Sequence, residues 1–353
     1  MSSTPSNSKP LVLITGATGH LGFRTLVLAL QAGYQARVAI RKLEQADWML
    51  ETTSIKPFVN DVSFVRVADI TASSAYDEAI KGVKYAIHVA SPIPTKPEHQ
   101  SGDWRTLYYE PATNGTVSLL SAAAKTSSVE AVVITSSVAI LRPDVEIAGP
   151  KDIQPNLSAS DADRIENFGE AYAVSKVLAY HAAKDFMDAQ QPLFKTVFVL
   201  PGYIQGPNEL LRQEKEFFSG SNEGTINAIT GNVAAYAKPA SQVWLDDAAR
   251  AHVVALQKEE VHDGDTLVVV GRSGSAEKGS SVHWDEAAKL AAKEFPAALE
   301  KGILKPVRGQ QTALKKYDVA ESEAKFGFEF SGPEMWVKET AAWWLKWHGH
   351  EAS

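Results

Sequence analysis

Leu11-Val-Leu-Ile-Thr-Gly-Ala-Thr-Gly-His-Leu-Gly22 decides the fold of this chain. Five apolar or β-favouring residues, Leu11–Thr15, end at a glycine, and apolar residues then recur at helical spacing from 20 to 32. A short apolar run closed by glycine reads as a strand buried on both faces. Gly33 suits the left-handed position that ends a helix. Between strand and helix the glycines fall as G-x-x-G-x-x-G. The first two let the backbone turn tightly and approach a pyrophosphate. The helix N-terminus adds amide donors and a positive dipole end, and the third glycine lets helix and strand pack closely. The glycine pattern alone is weak. Its flanks make dinucleotide binding the reading.

The same alternation continues downstream. Gln35–Ile40, 62–68, 84–90, Ala131–Thr135, 196–200 and 267–270 read as strands. Helices separate them, including one over 111–125 and one carrying Tyr172. Strands alternating with helices predict an α/β fold, a doubly wound parallel sheet of Rossmann type. Two stretches break the rhythm. Residues 205–237 are rich in Gly, Asn and Ser, and the chain from 271 is mainly helical with a tryptophan-rich end. The expected organisation is a disordered lead-in over 1–10 and a dinucleotide-binding domain of 11–200 plus 239–270. A smaller, mainly helical substrate lobe of 201–238 plus 271–353 completes it.

Composition narrows the chemistry. The 353 residues carry a net charge of -7, which disfavours nucleic acid as a partner. The absence of cysteine excludes thiolate catalysis, disulfides and cysteine metal sites. None of the nine histidines shows ligand spacing, so no metal is expected. No apolar run reaches membrane-spanning length, and residues 1–10 lack the apolar core of a secretion signal; a cytoplasmic monomer or homodimer is the expectation. Trp336, Trp343 and Trp347 share one helical face and read as core packing. His88 reads as a hydrogen-bonded core histidine, and His348 and His350 as a frayed end. Asp246 and Asp247 read as a helix start rather than an acid/base pair.

Tyr172-Ala-Val-Ser-Lys176 carries the reactive groups. A tyrosine and a lysine one turn apart share a helix face. A free phenol, with a pKa near ~10, is a poor proton carrier at neutral pH, and a nearby ammonium favours its phenolate. Thr135-Ser-Ser137 ends a strand upstream and can add a hydroxyl to the same substrate oxygen. The second strand ends Ile40-Arg41-Lys42, with no acid before Glu44. An acid there would hold the ribose hydroxyls of NAD; two cations suit the 2′-phosphate of NADP. Asp69, after the third strand, can accept from an adenine amino group. Ala90 and Ser91, after the fourth, let backbone lie along a ligand.

These motifs together resemble the extended short-chain dehydrogenase/reductase superfamily. The nearer likeness is to its branch of dihydroflavonol reductases, cinnamoyl-CoA reductases and fungal ketone and aldehyde reductases. Besides the glycine turn, Arg41 and Tyr172-x-x-x-Lys176, the likeness rests on His88-Val-Ala-Ser-Pro92, Val133-Ile-Thr-Ser-Ser137, Pro201-Gly202 and Asp246-Asp-Ala-Ala-Arg-Ala-His252. It covers the chain after Pro10. The resemblance implies Ser137, Tyr172 and Lys176 as catalytic residues and NADP(H) as cofactor. It implies a cofactor cradle of Gly16, Thr18, Gly19, His20, Leu21 and Gly22 at the turn and Arg41 and Lys42 at the second strand. Asp69, Ile70, Ala90, Ser91 and Thr135 follow, then Pro201, Gly202 and Ile204 near the nicotinamide, with Tyr172 and Lys176 touching the cofactor too. The substrate pocket is expected at Pro92, Ile93, Val138 and Tyr203, taking a neutral, fairly apolar carbonyl compound. The plant enzymes carry Asn-Trp before the tyrosine; here the run is Asn167-Phe-Gly-Glu-Ala-Tyr172, which points away from flavonoid or lignin substrates. The expected activity is NADPH-dependent carbonyl reduction. An NAD-retaining nucleotide-sugar epimerase or dehydratase and a non-catalytic NADP-sensing protein are the rival readings.

Overall fold

The computed structural model describes residues 9–92, 103–158, 162, 164–165, 167–272, 279 and 282–350. Seven strands form one parallel sheet: β1 (Leu11–Thr15), β2 (Gln35–Ile40), β3 (Val62–Arg66), β4 (Tyr85–His88), β5 (Ala131–Thr135), β6 (Lys195–Pro201) and β7 (Thr266–Val269). Their order across the sheet is β7-β6-β5-β4-β1-β2-β3. The predicted doubly wound Rossmann sheet is therefore present. Its order reverses between β1 and β4, whose last pairs are Ile14 with Ile87 and Thr15 with His88. The crevice beyond such a reversal is where ligands bind in open α/β sheets.

The apolar strands end up buried on both faces because helices cover them. Val12, Leu13 and Ile14 of β1 and Val132 and Val133 of β5 are fully buried. Helix α1 (His20–Gln31) buries residues on two sides, against the sheet and against the Leu245–Val254 helix. It closes as its sequence predicts. Gly33 takes φ +90°, its N–H donates to Leu30, and the Tyr34 N–H donates to Ala29, a Schellman closure. Of the expected lead-in, residues 1–8 lie outside the described residues. Lys9 is paired with Asp61 at 2.6 Å, and the Pro10 carbonyl accepts from Gln35 N–H.

A second apolar cluster is built from Phe217, Ile226, Ile229, Trp284, Trp336, Val337 and Leu345. It joins 205–237, which contains the helix Glu223–Thr230 despite its polar composition, to the terminal helix Pro333–Trp347. Trp336 is fully buried edge-on to Trp284 at 6.3 Å, and Trp343 lies 4.3 Å from Phe217. His348 differs from the expectation of a frayed end. It caps this helix, bonding to the Trp344 carbonyl at 2.8 Å and approaching Glu214 at 3.4 Å, because the Phe217 ring beneath gives it a surface to pack on. Three short parallel pairs, each a two-stranded sheet of its own, link segments outside the main sheet: Tyr203–Gln205 with Gln242–Trp244, Lys238–Pro239 with Thr312–Ala313, and Ile147–Ala148 with Lys316–Tyr317.

Two glycines of the turn are required by the fold itself. Gly16 has φ +74°, and a Cβ there would stand 2.6 Å from the Ala90 backbone nitrogen. A Cβ at Gly22 would stand 2.2 Å from the Gly16 carbonyl oxygen. Gly19 is different: its φ is negative, and an added Cβ would meet only the Gly16 carbonyl, at 3.4 Å. Gly16→Ala should therefore destabilise the chain by about 3 kcal/mol through strain and clash. Gly19→Ala should leave the thermal midpoint within about 2 °C. Paired thermal unfolding of the two variants checks this.

Candidate active site

The carboxyl ends of β1, β4 and β5 meet where the strand order reverses. Thr15, the last residue of β1, bonds through Oγ1 to His88 Nδ1 at 2.8 Å and accepts from Ala90 N–H at 3.1 Å. One hydroxyl thus pins the end of β4 to the glycine turn. His88 is 3% exposed, as a core histidine should be, and burial drives its pKa down to about 3, with the Lys176 charge adding to the effect.

β5 runs straight into the next part of the site. Ser137 caps a single turn of 3-10 helix at Val138–Ile140, its hydroxyl accepting from Ala139 N–H at 3.2 Å. The same side chain stands near the Tyr172 phenol, close enough to oppose the rise in its pKa. The Ser136 hydroxyl is buried with no hydrogen-bond partner among the described residues. Of the two serines, the second is the one beside the phenol. The tyrosine rides on the helix Phe168–Gln190, which Asn167 starts by accepting from Glu170 N–H at 2.9 Å. The asparagine of Asn167-Phe-Gly-Glu-Ala-Tyr172 is therefore a helix cap.

Lys176 lies one turn further, 5% exposed, with Nζ 5.9 Å from the Tyr172 ring centroid. Its ammonium donates to the Thr135 carbonyl at 3.3 Å. Burial lowers its pKa from the ordinary lysine value to about 8. The phenol behaves differently from the expectation drawn from its spacing. Burial pushes the Tyr172 pKa up, and Ser137 opposes this only in part. Helical spacing brings the lysine near the ring, but the cost of desolvating a phenolate outweighs any pull from the ammonium. Tyr172 is therefore a protonated phenol at neutral pH.

The remaining predicted residues spread along the same edge. Thr18 belongs to the turn and Leu21 is buried in the first turn of α1, which begins at extended Gly19 with no side-chain cap. That leaves the first amides of α1 without a side-chain acceptor. Arg41 and Lys42 are both exposed and enter no ion pair among the described residues. Asp69 is exposed, and its Oδ1 accepts from the Thr71 amide at 2.8 Å and hydroxyl at 2.7 Å, so half of this carboxylate serves its own turn. Ile70 packs against Gly115. Ala90, Ser91 and Pro92 leave β4 half-buried; Ile93 lies outside the described residues. Pro201 ends β6, and Gly202 follows so close to Ser241 that a Cβ would stand 1.8 Å from its carbonyl oxygen. Val138 is half-buried, Ile204 sits in a short strand, and Tyr203 is 40% exposed. Open space at Gly19, uncapped amides on α1 and unpaired cations after β2 are what a bound dinucleotide phosphate would need.

Two histidines named in the sequence, His252 in a motif and His20 in the expected cofactor cradle, take partners that the sequence did not show. His252, fully buried, donates from Nδ1 to the Ala248 carbonyl at 2.7 Å, so its Nε2 accepts from the Thr135 hydroxyl at 2.7 Å. This fixes the residue whose carbonyl holds Lys176. His20 turns away from the glycine loop and donates to the carbonyls of Gly206 and Pro207 at 3.1 and 3.2 Å. The chain beyond them crosses to the second strand's helix, where Glu209 accepts from the Ser54 hydroxyl at 2.5 Å and Arg212 stacks on Trp48 at 4.8 Å. His252 was visible as part of a motif, but its partner lies 117 residues away.

Comparison with known proteins agrees with this geometry. The pattern of the NAD dependent epimerase/dehydratase family matches residues 12–271. The chain is 34% identical to the NAD-dependent epimerase/dehydratase ALT6 of Alternaria alternata, over 92% of this chain and 95% of that one. It is 31% identical to the ketoreductase CTB6 of Cercospora beticola, over 95% of each. Among solved structures, yeast methylglyoxal/isovaleraldehyde reductase Gre2 with NADPH superposes with a TM-score of 0.78 at 24% identity, covering 96% of this chain and 99% of that one. Gre2 from Candida albicans with NADPH gives 0.81 at 23% identity, with the same coverage. Sheet order, glycine turn and sequence likeness converge, and the chain belongs to the NAD-dependent epimerase/dehydratase family of extended short-chain dehydrogenases/reductases.

Proposed function

We propose that this protein is an NADPH-dependent carbonyl reductase that converts a ketone or aldehyde to an alcohol. The observation that carries the reading is the meeting of the Ser137 hydroxyl, the Tyr172 phenol and the Lys176 ammonium beside the glycine turn. The ketoreductase names among its relatives and the NADPH complexes among its structural neighbours support it.

NADPH, when bound, supplies the hydride. Its pyrophosphate would rest at Gly19 and the first amides of α1, and its 2′-phosphate against Arg41 and Lys42. Ser137 and Tyr172 together hold the carbonyl oxygen of the substrate. Because burial keeps Tyr172 protonated, it can donate as negative charge grows on that oxygen. An alkoxide is a far stronger base than a phenolate, so a raised phenol pKa does not prevent the transfer. Lys176 then faces the phenolate left behind. Donors already placed around the developing charge stabilise the transition state more than the ground state.

Tyr172→Phe should lower kcat for ketone reduction by at least about 10³-fold, with the NADPH dissociation constant changed by less than about threefold. Stopped-flow kinetics with a binding titration separates the two. Lys176 is charged below its pKa of about 8 and neutral above it. The rate of reduction should therefore fall as pH rises through about 8, and Lys176→Arg should move that fall to higher pH. Arg41→Ala should raise the KM for NADPH by about tenfold and leave that for NADH nearly unchanged.

A further inference from the structure

A cavity of about 310 Å³ opens away from the reacting groups. Its walls are α1, residues 207–209, the helix Leu245–Val254 with Trp244 before it, and the terminal helix Pro333–Trp347. Ser137, Tyr172 and Lys176 are not among its lining residues. Small-molecule sites begin at about 300 Å³, and at about 30 Å³ per water this one suits a ligand of about ten non-hydrogen atoms. The walls are fixed by the protein's own bonds. His20 bonds to the Gly206 and Pro207 carbonyls at 3.1 and 3.2 Å. Glu209 accepts from the Ser54 hydroxyl at 2.5 Å, and Arg24 donates from two nitrogens to the two oxygens of Asp246. A recess already shaped for its occupant loses little order when it is filled.

Charge selects what enters. Arg24, Glu209, Asp246 and Glu339 line the space, and His20, its pKa lowered by burial to about 4, is neutral there. Asp246 offsets the Arg24 guanidinium, which leaves the carboxylates of Glu209 and Glu339 in excess. Glu209 is already engaged by Ser54. Glu339, half-buried, has no hydrogen-bond or ion-pair partner among the described residues. An unpaired carboxylate facing a cavity, with a second carboxylate in the same lining, repels anions and attracts a cation. A metal ion does not fit: no group of three metal-ligating side chains among the described residues is placed to hold one. Phe23 and Trp244 line the same space. Aromatic rings attract an ammonium and pack the apolar body attached to it.

We propose that this cavity is a second binding site, for a small organic ammonium compound whose cationic nitrogen meets Glu339 and whose apolar body rests against Phe23 and Trp244. The site stands apart from the reductase reading and does not depend on it. His20 also belongs to the expected cofactor cradle, but its ring is already bonded to the 206 and 207 carbonyls, so the ammonium and a dinucleotide use different groups. A neutral ligand of the same shape loses the charge-assisted bond to Glu339. A carboxylate in its place meets two like charges. The preference is moderate in size, because Glu339 is half-buried and water reaches it when the cavity is empty of ligand.

The test is calorimetric titration of the full chain with 2-phenylethylammonium, 2-phenylethanol and 3-phenylpropanoate, in the wild type and in Glu339→Gln, without NADPH and with NADPH in excess. The ammonium should bind the wild type with a Kd of about 0.1–1 mM, a value ordinary for a ligand of this size. The alcohol should bind about tenfold more weakly, and the propanoate more weakly still. Glu339→Gln should weaken the ammonium about tenfold and change the alcohol by less than about twofold. Its thermal midpoint should stay within about 2 °C of the wild type, which shows that the variant is folded. NADPH should shift the ammonium Kd by less than about threefold. No heat from the ammonium at about 10 mM, equal binding of ammonium and alcohol, or an unchanged ammonium Kd in Glu339→Gln overturns the site. Displacement of the ammonium by NADPH overturns it too, by placing the ligand in the crevice instead.

Discussion

The structure turns on a lysine charge kept out of water. Lys176 is 5% exposed, burial is the cause of its lowered pKa, and the hydrogen bond that holds it goes to a backbone carbonyl. A buried ammonium without a carboxylate partner is costly. The surroundings tolerate it because they are rigid: Thr135 is fixed by His252, and His252 by its own helix. The carbonyl that receives the lysine cannot swing away. The same economy appears at β1, where the Thr15 hydroxyl ties β4 to the glycine turn. Strand-end hydroxyls hold the glycine turn and the carbonyl that receives Lys176 in place.

Burial also sets the charge states of the two side chains. A phenol whose pKa is raised by burial holds its proton at neutral pH, and a lysine lowered to about 8 is still charged there. Those are the states needed to give a proton to a nascent alkoxide and to face the phenolate that results. Asp246 and Asp247, adjacent in sequence, are pulled to different tasks. Asp246 binds Arg24 of α1 through both carboxylate oxygens, while Asp247 accepts from the Ser331 amide. Both therefore serve to dock segments onto the sheet.

The segments beyond the sheet are assembled differently from it. They are joined by strands of only two or three residues. Such strands carry too few alternating residues to show in a pattern. The helix Glu223–Thr230 is likewise hidden in a polar stretch, because its stability comes from Trp284 and the terminal helix rather than from an apolar stripe of its own. A Cβ at Gly224 would stand 2.4 Å from the Trp284 ring, which is how closely the two pack.

Much of the molecule was legible along the chain because its causes are local. Seven predicted runs became seven strands, and the central ones, such as β1 and β5, are apolar because both of their faces are buried. Gly16 and Gly33 announced positive φ, and Tyr172 and Lys176, four apart on a helix, had to share a face. Burial and long-range pairing were settled only by folding. The phenol pKa depends on how much water the packed helix excludes, so its rise could not be read from spacing. Thr135 meets His252 across 117 residues, and no local pattern encodes that contact. Sequence determined which groups stand at the crevice; tertiary packing decided their protonation and their distant partners, because both depend on atoms far away along the chain.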